Sequence, residues 1–261
     1  MGVLNVTPDS FSDGGRYLDP DRAVEYAHQM IEEGADVIDV GGESTRPGAE
    51  PVSAEEELRR ILPPVQRLIK KVSVPISVDT YKADVAAVVL AEGVDLINDV
   101  SALSLDPRLA SAVAEAGAGL VLMHMRGTPR TMQEDPRYTD VVAEVRECLR
   151  QSVLLAEARG VHPEAIVVDP GIGFGKRVEH NLLLLNRLAE LHVLEKPLLV
   201  GPSRKSFIGN VLDLPVEDRL EGTAAAVAVA IWQGAHIVRI HDVRAMARVV
   251  RMTDAIRRAW E

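Results

Sequence analysis

Short apolar or β-branched runs punctuate the chain at 3–6, 37–40, 76–78, 96–97, 120–123, 166–168, 198–200 and 237–240. Each is short enough for a buried parallel strand, which needs no polar face because helices cover it. Between them lie longer amphipathic stretches, among them AVEYAHQMIEEGA, AEEELRRILPPVQRLIKKV, DVVAEVRECLRQSVLLAEARG and AAAVAVAIWQGA. Gly34, Gly93, Gly117, Gly160 and Gly234 stand where such helices would end, because glycine accepts the left-handed conformation that closes a helix. Pro63 and Pro64 fall inside the second stretch and predict a bend or break there. The pattern amounts to about eight strand-then-helix units with no Gly/Ser-rich linker, which predicts an α/β fold, a closed (β/α)8 TIM barrel. One domain would then span residues 1–261. An open doubly wound sheet is the alternative; the length is large for it and no GxGxxG follows the first run.

In such a barrel the chemistry sits at the C-terminal strand ends and the loops that follow them. Those ends carry Asn5, the GGESTRPG loop with Ser44, Thr45 and Arg46, Asp79, Asn98 and Asp99, and Met123 and His124. They continue with Asp169, then Ser203, Arg204 and Lys205, then Arg239 and His241. A single aspartate after a strand more often caps a helix or a turn. Acids, amides and bases meeting on one face are not explained by capping alone. For His241 the plain alternative is a loop histidine paired with Asp242. Phe11, Phe174 and Phe207 all read as loop residues of this face and suggest an aromatic slot.

Composition narrows the ligand. The 261 residues are 47% hydrophobic and 26% charged, with a formal net charge of -10. That charge disfavours nucleic acid and anionic membranes as partners, since both demand a basic footing. A small soluble ligand is expected instead. The one cysteine, Cys148, excludes an internal disulfide and falls in a polar, helical-looking segment. MGVLNV lacks a charged leader with an apolar core, and Val6 stands where a myristoylation pattern wants Ser or Thr. No apolar run reaches the roughly 20 residues that span a bilayer. A cytoplasmic location is the expectation.

The stretch VVDPGIGFGKR tempts a phosphate-loop reading, but Pro170 stands where the first glycine belongs and Arg177 replaces the hydroxyl residue. It reads instead as a strand ending on Asp169 and a glycine loop open to a ligand. Arg46, Arg239 and His241 with Ser44 and Thr45 form an anion-binding set suited to phosphate or diphosphate oxygens. Asp79, Asn98 and Asp169 form an acceptor-rich set suited to a planar edge with several N–H donors. A ligand with a guanidine-like heterocycle and a diphosphate satisfies both. HExxH, GxSxG and Cys/His clusters do not occur, which leaves metalloprotease and acyl-hydrolase readings without support.

At these residues the chain resembles dihydropteroate synthase, the folate-pathway enzyme that sulfonamides target. The matching stretches are VLNVTPDSFSDGG, IDVGGESTRPGA, ISVDTYK, LINDVSALS, LMHMRGTPRTMQ, VVDPGIGFGK, LLVGPSRKSFIG and IVRIHDV, in family order from end to end. The resemblance implies a transferase that condenses 6-hydroxymethyl-7,8-dihydropterin diphosphate with p-aminobenzoate, releasing diphosphate. It assigns pterin recognition to Asp79, Asn98 and Asp169, with Lys205 on the ring's other polar edge and Met123 beneath the ring. It gives the diphosphate to Asn5, Thr45, Arg46, Arg239 and His241, with Mg2+ on the Asn5 amide and phosphate oxygens. Phe11, Pro47, Phe174, Lys205 and Ser206 would build the aminobenzoate pocket. Lys205, Arg239 and Asp169 would carry most of the catalysis, with no covalent nucleophile. The family usually has a further segment before the first strand, often a hairpin closing the barrel's bottom, whereas here that strand starts at about residue 3; either the chain is trimmed at its start or it lacks that cover, and the loss should affect stability more than chemistry. The resemblance also suggests a homodimer packed through late helices, where VRAMARVVRMTDAIRRAW offers Met246, Val249, Val250 and Ile256. Covering the barrel is the plain alternative for that face. The rival functions are a pterin-dependent methyltransferase barrel, an inactive pterin-binding protein, and a Schiff-base aldolase using Lys205. The aldolase needs a depressed lysine pKa, whereas Arg204 and nearby acids suggest an ordinary cation.

Overall fold

The computed structural model describes residues 1–7, 19–46 and 48–259. Among the described residues eight strands alternate with helices. They are β1 (Gly2–Asn5), α1 (Pro20–Glu32), β2 (Ile38–Gly41), α2 (Ala54–Lys71), β3 (Ile76–Asp79), α3 (Ala83–Glu92), β4 (Leu96–Asp99) and α4 (Leu109–Ala116). The second half has β5 (Gly119–Met123), α5 (Val141–Ala158), β6 (Ile166–Asp169), α6 (Val178–Asn186), β7 (Leu199–Val200), α7 (Ser206–Leu212), α8 (Leu220–Trp232), β8 (Ile237–Val238) and α9 (Val243–Arg258). Strands β1 to β6 pair in sequence order, all parallel, and β7 pairs with β8. Two bridges join these sheets into a ring, Val168 with Leu198 and Gly2 with Ile240. Val3 N donates to Ile240 O at 3.1 Å and Ile240 N to Met1 O at 3.0 Å. The ring is therefore a closed parallel barrel, as the eight-fold alternation predicted.

Alternation along each strand decides what the barrel holds. Ile38, Val40, Ile76, Val78, Ile97, Leu120, Leu122, Ile166 and Val168 belong to the main core formed with the helices. The intervening positions face inward. Met1, Val121 and Leu199 form the buried interior cluster, with Leu96, Val167 and Ile237 packed against it. Nearer the C-terminal end the inward positions turn polar: Asp39, Ser77, Asp79, Asn98 and Asp169 are all buried.

Helix ends follow the expected chemistry. Gly93 and Gly117 are left-handed C-caps of α3 and α4, with φ of 107° and 64°. Asp140 caps α5 by accepting from Val142 N and Ala143 N. The expected break at Pro63 and Pro64 does not occur, because α2 runs through both. Its inner face is continuous across them, with Ile61, Val65 and Leu68 fully buried, and Ser53 caps its start. That packing outweighs the two backbone hydrogen bonds that the prolines forfeit.

Candidate active site

A cavity of about 480 Å³ opens at the C-terminal strand ends. Its walls include Asn5, Ser44, Thr45, Arg46, Asp79, Phe174, Lys205, Ser206, Arg239 and His241. Glu43, Met132 and Glu217, which the sequence did not single out, line it as well. Asn98, Met123 and Asp169 are each at most 4% exposed and do not line this cavity. Phe11 and Pro47 lie outside the described residues.

The structure joins the two sets of residues that the sequence kept apart. Arg239 Nε donates to Asp39 Oδ2 at 2.6 Å and Nη2 donates to Asp79 Oδ2 at 3.1 Å. Arg239 is thus not a detached anion receptor; two buried acids hold it from β2 and β3. Asp39 escaped the sequence reading because it sits inside a strand, flanked by Ile38 and Val40. The period-2 alternation of a barrel strand was the signal that could have found it. Burial raises the Asp79 carboxyl, opposed by Arg239 and reinforced by Asp39.

Asp169 ends β6 and accepts from Gly171 N at 2.7 Å. Burial pushes its carboxyl up, against the pull of Lys205. The glycines that follow have a different reason from the expected clearance for a ligand. Gly171 has φ of 68°, and a Cβ there would lie 1.9 Å from His124 O. A Cβ on Gly173 would meet Lys205 Cδ at 2.8 Å, and one on Gly175 would meet Arg126 O at 2.6 Å. The glycines let this loop press against the loop after β5 and against Lys205. Gln133 Nε2 donates to Gly173 O at 2.9 Å and Tyr138 Oη to Gly175 O at 2.8 Å. Lys176, buried beneath the loop, donates to Phe174 O at 2.8 Å and meets His124 Nδ1 at 2.9 Å. Gly171→Ala should therefore destabilise the fold by roughly 2–5 kcal/mol, from left-handed strain plus overpacking. Denaturant unfolding checks this, and an unchanged midpoint would contradict the packing account.

Two neighbouring side chains depart from their expected states. Lys205 is not an ordinary cation: burial lowers it to about 8, with Asp169 opposing the shift. Its ammonium donates to Ile172 O and lies 4.5 Å from the Phe174 ring centroid. His241 is lowered to about 3 by burial and by Arg239 and Arg204, which favours the neutral imidazole at neutral pH. It meets Ser203 Oγ at 3.0 Å, not Asp242, whose carboxylate pairs with Arg204 at 2.8 Å. Phe207 is likewise corrected; it is buried in α7 within the main core. With its pKa lowered to about 8, Lys205 loses its charge as pH rises through that region. Turnover should fall through about pH 8, and Lys205→Arg should move that alkaline limb upward, since a guanidinium stays charged. A pH profile that is the same in both proteins would remove Lys205 as its source.

The loop after β2 is anchored from below. Glu43 accepts from Lys82, from Tyr81 Oη at 3.0 Å and from Val52 N at 3.2 Å. Lys82 also pairs with Glu57, which is 1% exposed. Arg60 donates to Gly42 O at 3.0 Å. These contacts place Ser44, Thr45 and Arg46 on the cavity wall. Asp99, by contrast, turns away to cap its own loop, accepting from Ser101 N at 2.8 Å and Leu103 N at 2.6 Å.

A closed parallel barrel with a charged cavity at its C-terminal strand ends is the frame of a barrel enzyme. A family model described as pterin binding enzyme matches residues 1–241. The chain belongs to that family, and within it to the dihydropteroate synthases. The dihydropteroate synthase of Escherichia coli is 49% identical over 261 residues, covering 100% of this chain and 92% of that protein. That of a Synechocystis species is 49% identical over 257 residues, covering 98% and 89%. Among solved structures, the Yersinia pestis dihydropteroate synthase in a sulfonamide drug complex superposes with a TM-score of 0.95 at 44% identity, covering 98% of this chain and 93% of that one. The Xanthomonas albilineans enzyme with 4-aminobenzoic acid has a TM-score of 0.91 at 43% identity, covering 98% and 92%.

Proposed function

We propose that this chain condenses 6-hydroxymethyl-7,8-dihydropterin diphosphate with p-aminobenzoate, giving 7,8-dihydropteroate and diphosphate in folate biosynthesis. The observation that carries this reading is the polar cavity at the strand ends, where Asp79, Lys205 and Arg239 stand on the wall with Asn98 buried next to Asp79 on the adjoining strand and Asp169 buried within reach of the Lys205 and Arg239 charges. Related structures contain pteroic acid, 4-aminobenzoic acid or a sulfonamide, which supports the same substrates here.

Asp79, Asn98 and Asp169 accept the N–H donors of the pterin's amino-pyrimidinone edge, and those donors offset the cost of two buried carboxylates. Lys205 meets the ring's other polar edge, and Met123 lies beneath the ring. Arg239, already oriented by its two acids, has no hydrogen bond at Nη1 among the described residues, and meets the diphosphate with Asn5, Thr45, Arg46 and His241. Phe174 and Ser206, on the cavity wall, shape the aminobenzoate pocket; Phe11 and Pro47, expected with them, lie outside the described residues. The C–O bond to diphosphate breaks first and leaves a resonance-stabilised cation on the pterin methylene. The neutral arylamine nitrogen then forms the C–N bond and releases its proton to solvent or phosphate. Arginines stabilise the charge that builds on the leaving group, and a closed site keeps water from the cation.

Mg2+ suits this site in a limited way. Among the described residues no group of three His, Cys, Asp or Glu could hold a metal, and Glu43 is engaged by Lys82 and Tyr81. Asn5, on the cavity wall, supplies one amide oxygen, which fits an ion that keeps its waters and takes substrate phosphate oxygens. When bound, it would neutralise charge on the leaving diphosphate.

A homodimer is the proposed assembly. Met246 is buried against α8 and β8, so that part of α9 covers the barrel. Trp232, Met252 and Ile256 remain exposed, at 55%, 62% and 47%, and offer the late-helix surface. No helix is long and apolar enough to cross a membrane among the described residues, and a cytoplasmic location accords with a soluble substrate pair.

The test is diphosphate release from the purified protein given dihydropterin diphosphate and Mg2+, with and without p-aminobenzoate, while dihydropteroate is followed by chromatography. Product that requires both substrates is expected. Pterin binding without product would favour a methyltransferase or an inactive binder instead.

A further inference from the structure

We infer that Asp39, in the middle of β2, is a positioning residue for this reaction: it fixes the guanidinium plane of Arg239 and the amide of Asn98 before substrate arrives. The inference rests on the proposed reading of the site. Asp39 is 0% exposed, and its Oδ2 accepts from Arg239 Nε at 2.6 Å and Asn98 Nδ2 at 3.2 Å. One carboxylate oxygen thus joins residues from β4 and from the end of β8 on the inside of the ring.

Stability alone gives little reason for an acid here. The interior layer below is filled by Met1, Val121 and Leu199, and a fully buried ion pair is often no better for stability than apolar packing of similar volume. Asp39 Oδ1 and the Oγ of Ser77 are both buried without a hydrogen-bond partner among the described residues. The two residues are register partners on adjacent strands. Leaving an oxygen of this kind unsatisfied is a cost that a working role explains.

The consequences for the site are specific. With Nε held by Asp39 and Nη2 by Asp79, the guanidinium cannot close both of its parallel N–H groups onto Asp79. That keeps Asp79 available to a ligand donor and Nη1 available to an anion. An ionised carboxylate only accepts hydrogen bonds, so Asp39 also requires Asn98 to present Nδ2 inward and its carbonyl oxygen to the ligand. An asparagine at 39 would lose both instructions, because its amide both donates and accepts.

Asp39→Asn keeps shape and removes charge. It should lower kcat/KM for dihydropterin diphosphate by about 100-fold while KM for p-aminobenzoate stays within about twofold. The Asp79 carboxyl feels the charges of Arg239, which lowers its pKa, and of Asp39, Glu57 and Asp99, which raise it. With Asp39 neutral, one like charge is gone, and the limb of the pH profile that reports Asp79 should move to lower pH. Val121→Ala, a cavity in the same interior, serves as the comparison: it should lower thermal stability and leave the pH profile and the KM values in place. In the wild type, the Nε proton of Arg239, assigned by its loss in Arg239→Lys, should resonate downfield and exchange slowly; this readout stands even if Asp39→Asn fails to fold. An exposed, fast-exchanging Nε proton overturns the inference. So does an Asp39→Asn enzyme that resembles Val121→Ala, less stable with an unshifted profile. Wild-type protein that makes no dihydropteroate would overturn the functional reading itself.

Discussion

Alanine at position 169 should abolish detectable pterin binding. Asp169 is 4% exposed, and its carboxyl is proposed to take two N–H bonds from the pterin edge. Charge-assisted bonds are worth roughly 1.5–3 kcal/mol each, so affinity should fall about 10²- to 10⁴-fold. Folding is also touched, because Gly171 N loses its acceptor and Lys205 and Lys176 lose a nearby negative charge. Asp169→Asn separates the two effects. Its amide oxygen can still accept from Gly171 N, while its NH2 opposes the ligand's donors, so the fold should persist and binding should still fail. Calorimetry with a dihydropterin lacking the diphosphate reads this directly; unchanged affinity in either variant would refute the role.

Loss of the Arg239 side chain should cost both stability and substrate affinity. From the sequence alone, with Arg239 assigned to the diphosphate, the loss is expected mainly for diphosphate-bearing ligands. The contacts to Asp39 and Asp79 change that expectation. Arg239→Ala leaves two buried carboxylates without their shared cation, a defect that typically costs about 3–5 kcal/mol. For a chain of this size the unfolding midpoint should drop by on the order of 10 °C. Affinity for pterin diphosphate should fall roughly 10²- to 10³-fold and for pterin alone roughly tenfold, the second loss arising through Asp79. Arg239→Lys should recover part of the stability and little of the affinity, because an ammonium cannot reach two acids and an anion in one plane. Equal stability of wild type and Arg239→Ala would mean that the triad carries no weight in the fold.

The strand ends were legible in the sequence because their signals are local. An apolar run that stops on a polar residue, a capping aspartate such as Asp140, and glycines such as Gly93 at helix ends need only a few neighbours to have their effect. Hence Asn5, Asp79, Met123 and Asp169 each fall at the last position of a strand and Asn98 at the position before the last, and the loops that carry Lys205 and His241 lie where expected. The eight-fold alternation was likewise readable, since period and length are properties of the chain itself.

What the sequence by itself determined is therefore the barrel and the face on which its polar residues gather. Closure of the ring decided the rest. It set Asp39 against Arg239, 200 residues away, and Asp79 against the same guanidinium, 160 residues away. It buried Lys205 far enough to lower its pKa to about 8, pressed Gly171 onto the His124 carbonyl, and carried α2 through two prolines without a break. Propensity and periodicity act over a few residues, whereas charge pairing, desolvation and close packing depend on distances that exist only once strands β1 and β8 have met.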